Sequence, residues 1–120
     1  MKQQIFEAID KKKETLCEMA DFIFDHPEYR GNEYQAAELL TSYLKEQGFQ
    51  VEMGLAGFET AFRAVYDHGT GGPVIGMLCE YDALEGLGHG CGHHMQGPAC
   101  LGAAVTLAHM ENDKNYTVVV

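Results

Sequence analysis

The chain has few positive charges. Eight lysines and arginines stand against eighteen aspartates and glutamates, which gives a formal net charge of −10. Because nucleic acids and anionic membranes also carry negative charge, this balance disfavours both as partners. No apolar run approaches the roughly 18 residues that a membrane-spanning helix requires. The charged N-terminal pattern also lacks the apolar core of a signal peptide. We therefore expect neither a nucleic acid nor a membrane as partner.

Cysteines are also sparse and widely spaced. The four of them (Cys17, Cys79, Cys91 and Cys100) lack the dense spacing of a disulfide scaffold. This usage indicates a reducing, cytoplasmic location. Three of them, Cys17, Cys79 and Cys100, lie in settings typical of small buried hydrophobic residues. Cys91 lies in a different, histidine-rich context.

The 120 residues suffice for one domain with a hydrophobic core. Hydrophobic periodicity and turn residues divide the chain into helices and short strands. The predicted elements are a helix that ends at Pro27, a helix from an Asn32 cap to Gly48, strands over 49–53, 61–66 and 74–79, a helix over 97–110, and a strand over 116–120.

This order predicts an α/β fold: a mixed, mostly parallel sheet with flanking helices. The strands over 74–79 and 116–120 are continuously apolar, so we expect both to be buried on two faces, adjacent and parallel. The helix between them has a fitting length for the crossover. Because the last strand stops without a turn or cap, we expect the chain to be the N-terminal piece of a longer protein.

The most informative motif is Gly88-His89-Gly90-Cys91-Gly92-His93-His94. Cys91 and His93 stand two residues apart, so both can face one ion from a turning loop. A thiolate and an imidazole suit zinc or a neighbouring first-row metal. The glycines allow the backbone conformations that a loop around an ion needs. We therefore interpret Cys91 and His93 as metal ligands; the alternative is a surface loop that happens to be rich in histidine.

Two acidic residues follow the strand over 74–79. Ligands in open α/β sheets lie beyond the carboxyl ends of the strands, where Glu80 and Asp82 are expected. A carboxylate beside a metal-bound imidazole orients the ring, and Asp82 is our candidate for that role. The alternative is that Glu80 and Asp82 are ordinary polar residues of the turn that ends the strand. His89 and His94 are expected to contact substrate, the loop backbone or the helix start rather than a metal.

These residues amount to half a catalytic metal site. Such a site needs about three protein ligands and a base for the attacking water. The sequence offers two ligands, Cys91 and His93, and one orienting acid, Asp82.

Two motifs of the chain carry a family resemblance. Glu80-Tyr81-Asp82-Ala83-Leu84, followed by the Cys/His motif, resembles the signature of the M20 metallopeptidases. The form of the motif is most similar to the amidohydrolase branch, in its p-aminobenzoyl-glutamate hydrolase-like subgroup. His26-Pro27-Glu28 with Glu33 also matches the N-terminal pattern of the family. Two positions depart from it, Glu85 where proline is common and His94 where Asp or Asn is common.

The resemblance implies a catalytic α/β domain with two metal ions, interrupted by a smaller lid and dimerisation domain. Residues 1–120 would be the N-terminal portion of that catalytic domain. Cys91 and His93 would be metal ligands, and Asp82 the catalytic acid that orients the site. The general base and the remaining ligands would lie beyond residue 120.

The function implied is a metal-dependent amidohydrolase or peptidase that hydrolyses an amide bond to an amino acid through metal-activated water. The expected substrate is a small N-acyl amino acid or dipeptide-like molecule, and the full-length protein is expected to be a homodimer. Zinc is the expected ion, with manganese, cobalt or nickel as alternatives. We expect this chain alone to be inactive. The alternative from another class is a stand-alone metal-binding module without catalysis.

Overall fold

The structure, a computed structural model, describes residues 1–120. None of its helices is long and apolar enough to cross a membrane. The α-helices and strands in chain order are α1 (Lys2–Asp10), α2 (Lys13–Asp25), α3 (Tyr34–Glu46), β1 (Gln50–Met53), β2 (Phe62–His68), β3 (Val74–Gly76), α4 (His93–Ala108) and β4 (Tyr116–Val119).

The four strands form one mixed sheet in the order β1-β2-β4-β3. Strand β4 runs parallel to β3, with Ile75 opposite Val118, as the apolar pattern of the two segments predicted. The pairings of β1 with β2 and of β2 with β4 are antiparallel. The mixed sheet with flanking helices is confirmed, but the expectation that it is mostly parallel is wrong. The reason is that β2 runs antiparallel to both of its neighbours, β1 and β4, which leaves β3–β4 as the one parallel pair.

Strand β3 differs from its prediction in length and burial. It ends at Gly76 instead of continuing to residue 79, and it lies at the edge of the sheet. Val74 is 69% exposed, so this strand is not buried on two faces. The apolar sequence of β3 therefore predicted its neighbouring strand, β4, correctly. The prediction that β3 is buried on both faces is wrong. Val118, on the central strand β4, is fully buried.

The N-terminal helical region is divided in two. A turn at Lys11 and Lys12 separates α1 from α2, and the Lys12 ammonium donates a hydrogen bond to the carbonyl of Ala8 at 3.1 Å. A lysine that bonds a late helical carbonyl satisfies an acceptor that the ended helix leaves free. The sequence predicted one helix here because the apolar spacing continues across the break.

Helix α4 is the central helix and packs on both the sheet and the other helices. Its small residues permit this close packing. A Cβ added at Gly102 would lie 2.7 Å from a methyl carbon of Leu16 in α2, and one at Gly97 would lie 2.8 Å from Leu40 in α3. The glycines of α4 thus face neighbouring helices rather than the sheet.

We predict that Gly102→Leu destabilises the fold, because the new side chain must displace Leu16 from a tightly packed contact. Overpacking of this kind lowers the free energy of unfolding by about 1–3 kcal/mol. Ala103→Leu is the matched control, since Ala103 is the exposed neighbour on the same helix. Urea denaturation followed by circular dichroism measures both. Equal stability of the two variants would contradict the packing argument.

Candidate functional site

Helix α4 begins at His93, earlier than the predicted start near Gly97. Gly92 precedes it with φ at +80°, a left-handed conformation that glycine adopts without steric cost. This turn sends the chain directly from the loop into the helix, and Pro98 is accommodated inside it. His93 is therefore fixed on a rigid helix rather than on a mobile loop.

One face of α4 contacts the segment that follows β3. The contacting helix residues stand three and four apart, so they project from the same side of the helix. Along the opposite segment, alternate residues make the contacts. The contacts are His93 Nδ1 to Asp82 Oδ1 at 2.8 Å, the Glu80 backbone N–H to Gln96 Oε1 at 3.1 Å, and Cys100 Sγ to the Leu78 carbonyl at 3.3 Å.

His93 lies between two carboxylates. Because an ionised carboxylate only accepts hydrogen bonds, the contact with Asp82 requires His93 to donate through Nδ1–H. The other ring nitrogen, Nε2, lies 3.3 Å from Oε2 of Glu80. His93 is 20% exposed at its side chain, so the ring is mostly buried. Asp82 is thus in hydrogen-bond contact with the imidazole that it is predicted to orient, and its catalytic role stays a prediction.

The donor chemistry around His93 fits a cation. In a neutral ring with Nδ1–H donated to Asp82, the Nε2 lone pair faces an oxygen of Glu80. Two acceptors in that position repel each other unless a proton or a metal ion lies between them. Imidazole nitrogen and carboxylate oxygen are both ligands that zinc accepts.

The ligand set is nevertheless incomplete. Cys91 is a free, exposed thiol in the loop before α4. No group of three or more His, Cys, Asp or Glu side chains is arranged to hold a metal ion. The structure thus brings Glu80, Asp82 and His93 together and does not assemble them with Cys91 into a complete centre. Coordination by Cys91 and His93 stays a prediction.

A cleft of about 530 Å³ opens beside His93. Its walls come from the loop before α3, the loop before β2 and the segment after β3. The charged and polar lining residues include Arg30, Glu33, Thr60, Glu80, Asp82 and His93. The side chain that sequence reasoning singled out therefore faces a cavity large enough for a small molecule.

A buried polar network holds two walls of the cleft together. Glu33, only 7% exposed, accepts hydrogen bonds from the Gly31 backbone N–H at 2.9 Å and from the Thr60 hydroxyl at 2.6 Å. The Tyr81 hydroxyl donates to the Thr60 carbonyl. Tyr81 stands between Glu80 and Asp82, so this network fixes the segment that carries both acids. Sequence reasoning named Glu33 only through the family pattern and missed Thr60.

Glu28 joins the loop before α3 to the same segment. Its carboxylate accepts from the backbone N–H groups of Gln35 and Ala36, each at 2.9 Å, and so caps the N-terminus of α3. Its carbonyl accepts from the Ala83 N–H at 2.7 Å. The predicted cap, Asn32, is wrong, because Glu28 reaches these donors from the preceding loop.

His89 and His94 lie away from the cleft, against α2. His89 is 6% exposed, and neither of its ring nitrogens has a hydrogen-bond partner. The His94 ring stacks edge-on against Phe24 at 5.0 Å and lies 5.4 Å from the ring of His89. Burial lowers the pKa of His89, and the neighbouring His94 lowers it further. A backbone group of Ile23 near the ring acts in the opposite direction and raises the pKa of His89. Its position does not meet the geometry of a hydrogen bond to either ring nitrogen.

Of the three cysteines that were predicted to be buried, two are partly buried and one is exposed. Burial raises the pKa of Cys79 to about 12, and burial also raises the pKa of Cys100. Both are partly buried, where the sequence predicted small buried hydrophobic residues. Cys17 is exposed on α2, so its predicted burial is wrong. It lies on the side of that helix that the core does not cover.

Comparisons with known proteins identify relatives of this chain. No protein-family model matches the chain. One of the subunits of p-aminobenzoyl-glutamate hydrolase from Escherichia coli is 38% identical over 120 residues, which covers 86% of this chain and 24% of that protein. Human Xaa-Arg dipeptidase is 33% identical over 118 residues, which covers 89% of this chain and 27% of the dipeptidase.

This chain belongs to the M20 family. It spans about a quarter of the length of the curated M20 relatives that it matches. A crystal structure described as an aminohydrolase from methicillin resistant Staphylococcus aureus superposes with a TM-score of 0.82 at 24% identity. That match covers 99% of this chain and 34% of the other, and it confirms the fold.

We predict that His93 of this M20 chain carries its proton on Nδ1 and that Asp82→Ala removes that preference. Without that carboxylate, the acceptor that remains is Glu80, 3.3 Å from Nε2, which favours protonation of Nε2 instead. Long-range ¹H–¹⁵N NMR spectra of the imidazoles report the tautomer directly. His26 is the internal control, because its Nδ1 bonds the Phe22 carbonyl at 2.7 Å and does not depend on Asp82. An Nε2-protonated His93 in the unmodified chain would refute the assignment.

Proposed function

We propose that the chain contributes to a metal-dependent amidohydrolase of the M20 type, which cleaves an amide bond to an amino acid. Cys91 and His93 are its ligands to one divalent ion, with zinc expected, and Asp82 orients His93. The observation that carries the proposal is the hydrogen bond of His93 to Asp82 at 2.8 Å beside an open cleft. Because that bond engages Nδ1 of His93, the other ring nitrogen, Nε2, is left to bind a cation.

Each of these residues has a distinct task. Asp82 holds the Nδ1–H of His93 and raises the basicity of the ring, as carboxylate partners of metal-binding histidines do. Helix α4 keeps the ring in place, because His93 is its first residue. Glu80, with a largely exposed carboxylate 3.3 Å from Nε2, can take up a proton at the same side of the cleft. A bound divalent ion supplies Lewis acidity to a carbonyl oxygen and lowers the pKa of water.

The substrate class follows from the size of the cleft and from the relatives. A volume of about 530 Å³ falls in the range of small-molecule sites. The names of the relatives specify a p-aminobenzoyl-glutamate and a dipeptide that ends in arginine. Both are small molecules in which an amino acid is joined through an amide. We propose an N-acyl amino acid or dipeptide-like substrate for the same reason.

We further propose that the 120 residues alone are inactive and that other segments supply the missing ligands and the base. A catalytic zinc centre uses about three protein ligands, and no group of three is arranged for this here. The M20 relatives are about four times longer than the region they share with this chain.

We predict that zinc binds weakly to the purified chain through Cys91 and His93. Cys91→Ser and His93→Ala should each abolish binding, and Asp82→Ala should weaken it by about 10–100-fold because the ring loses its orientation. Titration against a chelating dye measures the affinity. The matched controls are Cys17→Ser and His26→Ala, since both residues are exposed and distant in sequence from the motif. Unchanged zinc binding in Cys91→Ser would remove Cys91 from the proposed ligands.

We also predict that the zinc-loaded chain does not hydrolyse p-aminobenzoyl-glutamate above the background rate. A chimera in which the chain replaces the homologous segment of the Escherichia coli relative should hydrolyse it, and His93→Ala in the chimera should abolish that activity. Liquid chromatography of the released p-aminobenzoate measures both. Turnover by the chain alone would contradict the incomplete site and would make Glu80 the candidate base. A folded, zinc-binding but inactive chimera would favour the metal-binding module instead.

A further inference from the structure

Two cysteine thiols lie together where α4 contacts the segment after β3. Cys100 of α4 donates through Sγ to the Leu78 carbonyl at 3.3 Å, and Leu78 is bonded directly to Cys79. Besides burial, which has the largest effect, each thiol shifts the pKa of the other, so the two are close neighbours. Both are free cysteines. A pair of thiols thus lies across one contact between two segments.

This pair is separate from the proposed metal ligands. Cys91 lies in the loop before α4, whereas Cys100 lies within that helix. Cys79 packs against the hydrophobic core and also lines the cleft. The function proposed above gives neither Cys79 nor Cys100 a task. Cysteines on segments that already touch can be bridged with little movement of the backbone.

The two thiols differ in their access to an oxidant. The thiolate form of cysteine is the nucleophile, so a lower pKa and greater exposure favour reaction. Burial raises the pKa of Cys79 to about 12. Burial also raises the pKa of Cys100, but the Cys79 side chain acts in the opposite direction there. Because Cys79 packs against the core and the hydrogen bond of Cys100 is exposed, an oxidant reaches Cys100 first.

We propose that Cys79 and Cys100 form an oxidisable pair, which hydrogen peroxide converts into a disulfide. In the first step the Cys100 thiolate attacks the peroxide, whose O–O bond breaks. The sulfur becomes a sulfenic acid, and the leaving hydroxide takes a proton to form water. In the second step Cys79 attacks the sulfenic sulfur, the S–S bond forms, and the S–O oxygen leaves as water with the Cys79 proton. One peroxide is reduced to two waters while two thiols are oxidised to one disulfide.

The disulfide joins α4 covalently to the segment that carries Glu80 and Asp82. Without it, this contact includes hydrogen bonds of 2.8 and 3.1 Å between the same two segments. A cross-link restricts the unfolded chain, so oxidation should raise the urea concentration at the midpoint of unfolding. The pair is thus a modification site in the wall of the cleft, and its reaction requires neither a metal nor hydrolysis.

The test treats the folded 120-residue chain with hydrogen peroxide in metal-free buffer. A background variant that combines Cys17→Ser with Cys91→Ser keeps only the pair, and circular dichroism checks its fold. Glutamyl endopeptidase cleaves after Glu80 and Glu85, so it separates the two cysteines unless a disulfide joins them. Mass spectrometry should find that linkage within single molecules of both proteins. The oxidised background variant should also unfold at higher urea than the same protein reduced with dithiothreitol.

Single substitutions in the same background test the order of the two steps. In Cys79→Ser the sulfenic acid of Cys100 has no thiol to attack it, so dimedone should label Cys100. In Cys100→Ser the remaining thiol of Cys79 is poorly ionised, and we expect about tenfold less labelling. Equal labelling of the two variants would contradict the assignment of Cys100 as the residue that reacts first.

Three results would overturn the proposal as a whole. The first is that Cys79 and Cys100 stay reduced while exposed Cys17 is oxidised, which would make the pair a packing contact only. The second is a disulfide that forms only between molecules. The third is a disulfide that forms only in urea, because the folded chain would then hold the thiols apart. None of these results bears on metal binding by Cys91 and His93.

Discussion

The contact between the first turns of α4 and the segment after β3 determines the geometry of the site. A helix is rigid over its length, so three contacts along one face fix the opposing segment in both position and register. The His93–Asp82 bond is the first of them, and the Gln96 and Cys100 contacts follow along the helix. Strand β3 ends at Gly76, so the segment beyond it is positioned mainly by its contacts with α4 and with the loops that carry Glu28 and Thr60. The orientation of the imidazole is thus a property of helix packing.

The opposite wall of the cleft depends on a buried carboxylate. A buried charge without partners costs several kcal/mol, so Glu33 is tolerable only because Gly31 and Thr60 both donate to it. Those two partners come from different loops, which the carboxylate thereby holds together. Glu28 adds a second connection through Ala83. These loops keep the cleft in shape because the buried carboxylate of Glu33 has its hydrogen-bond donors only when the loops lie together.

The sequence led to one contact of the site, that of His93 with Asp82, and missed most of the residues around it. The spacing of Cys91 and His93 and the position of Asp82 led to an oriented imidazole at the edge of a sheet, and His93 and Asp82 do meet there. Arg30 and Thr60 were missed because no local pattern marks a residue that lines a cavity formed by three distant segments. The helix break at Lys12 and the cap by Glu28 were missed because each depends on a side-chain contact that hydrophobic periodicity does not encode.

The sequence predicted the α/β class and the parallel neighbours β3 and β4 from apolar periodicity, and the family from the resemblance of two motifs. Its assignment of Cys91 and His93 as metal ligands stays a prediction. All of these signals are local in the chain. The tertiary structure alone decided that β4 lies between β2 and β3, that His89 and His94 face α2, and which groups surround the cleft. The physical reason is that burial and hydrogen-bond satisfaction are decided between segments far apart in the chain, where one residue's environment is fixed by the packing of all the others.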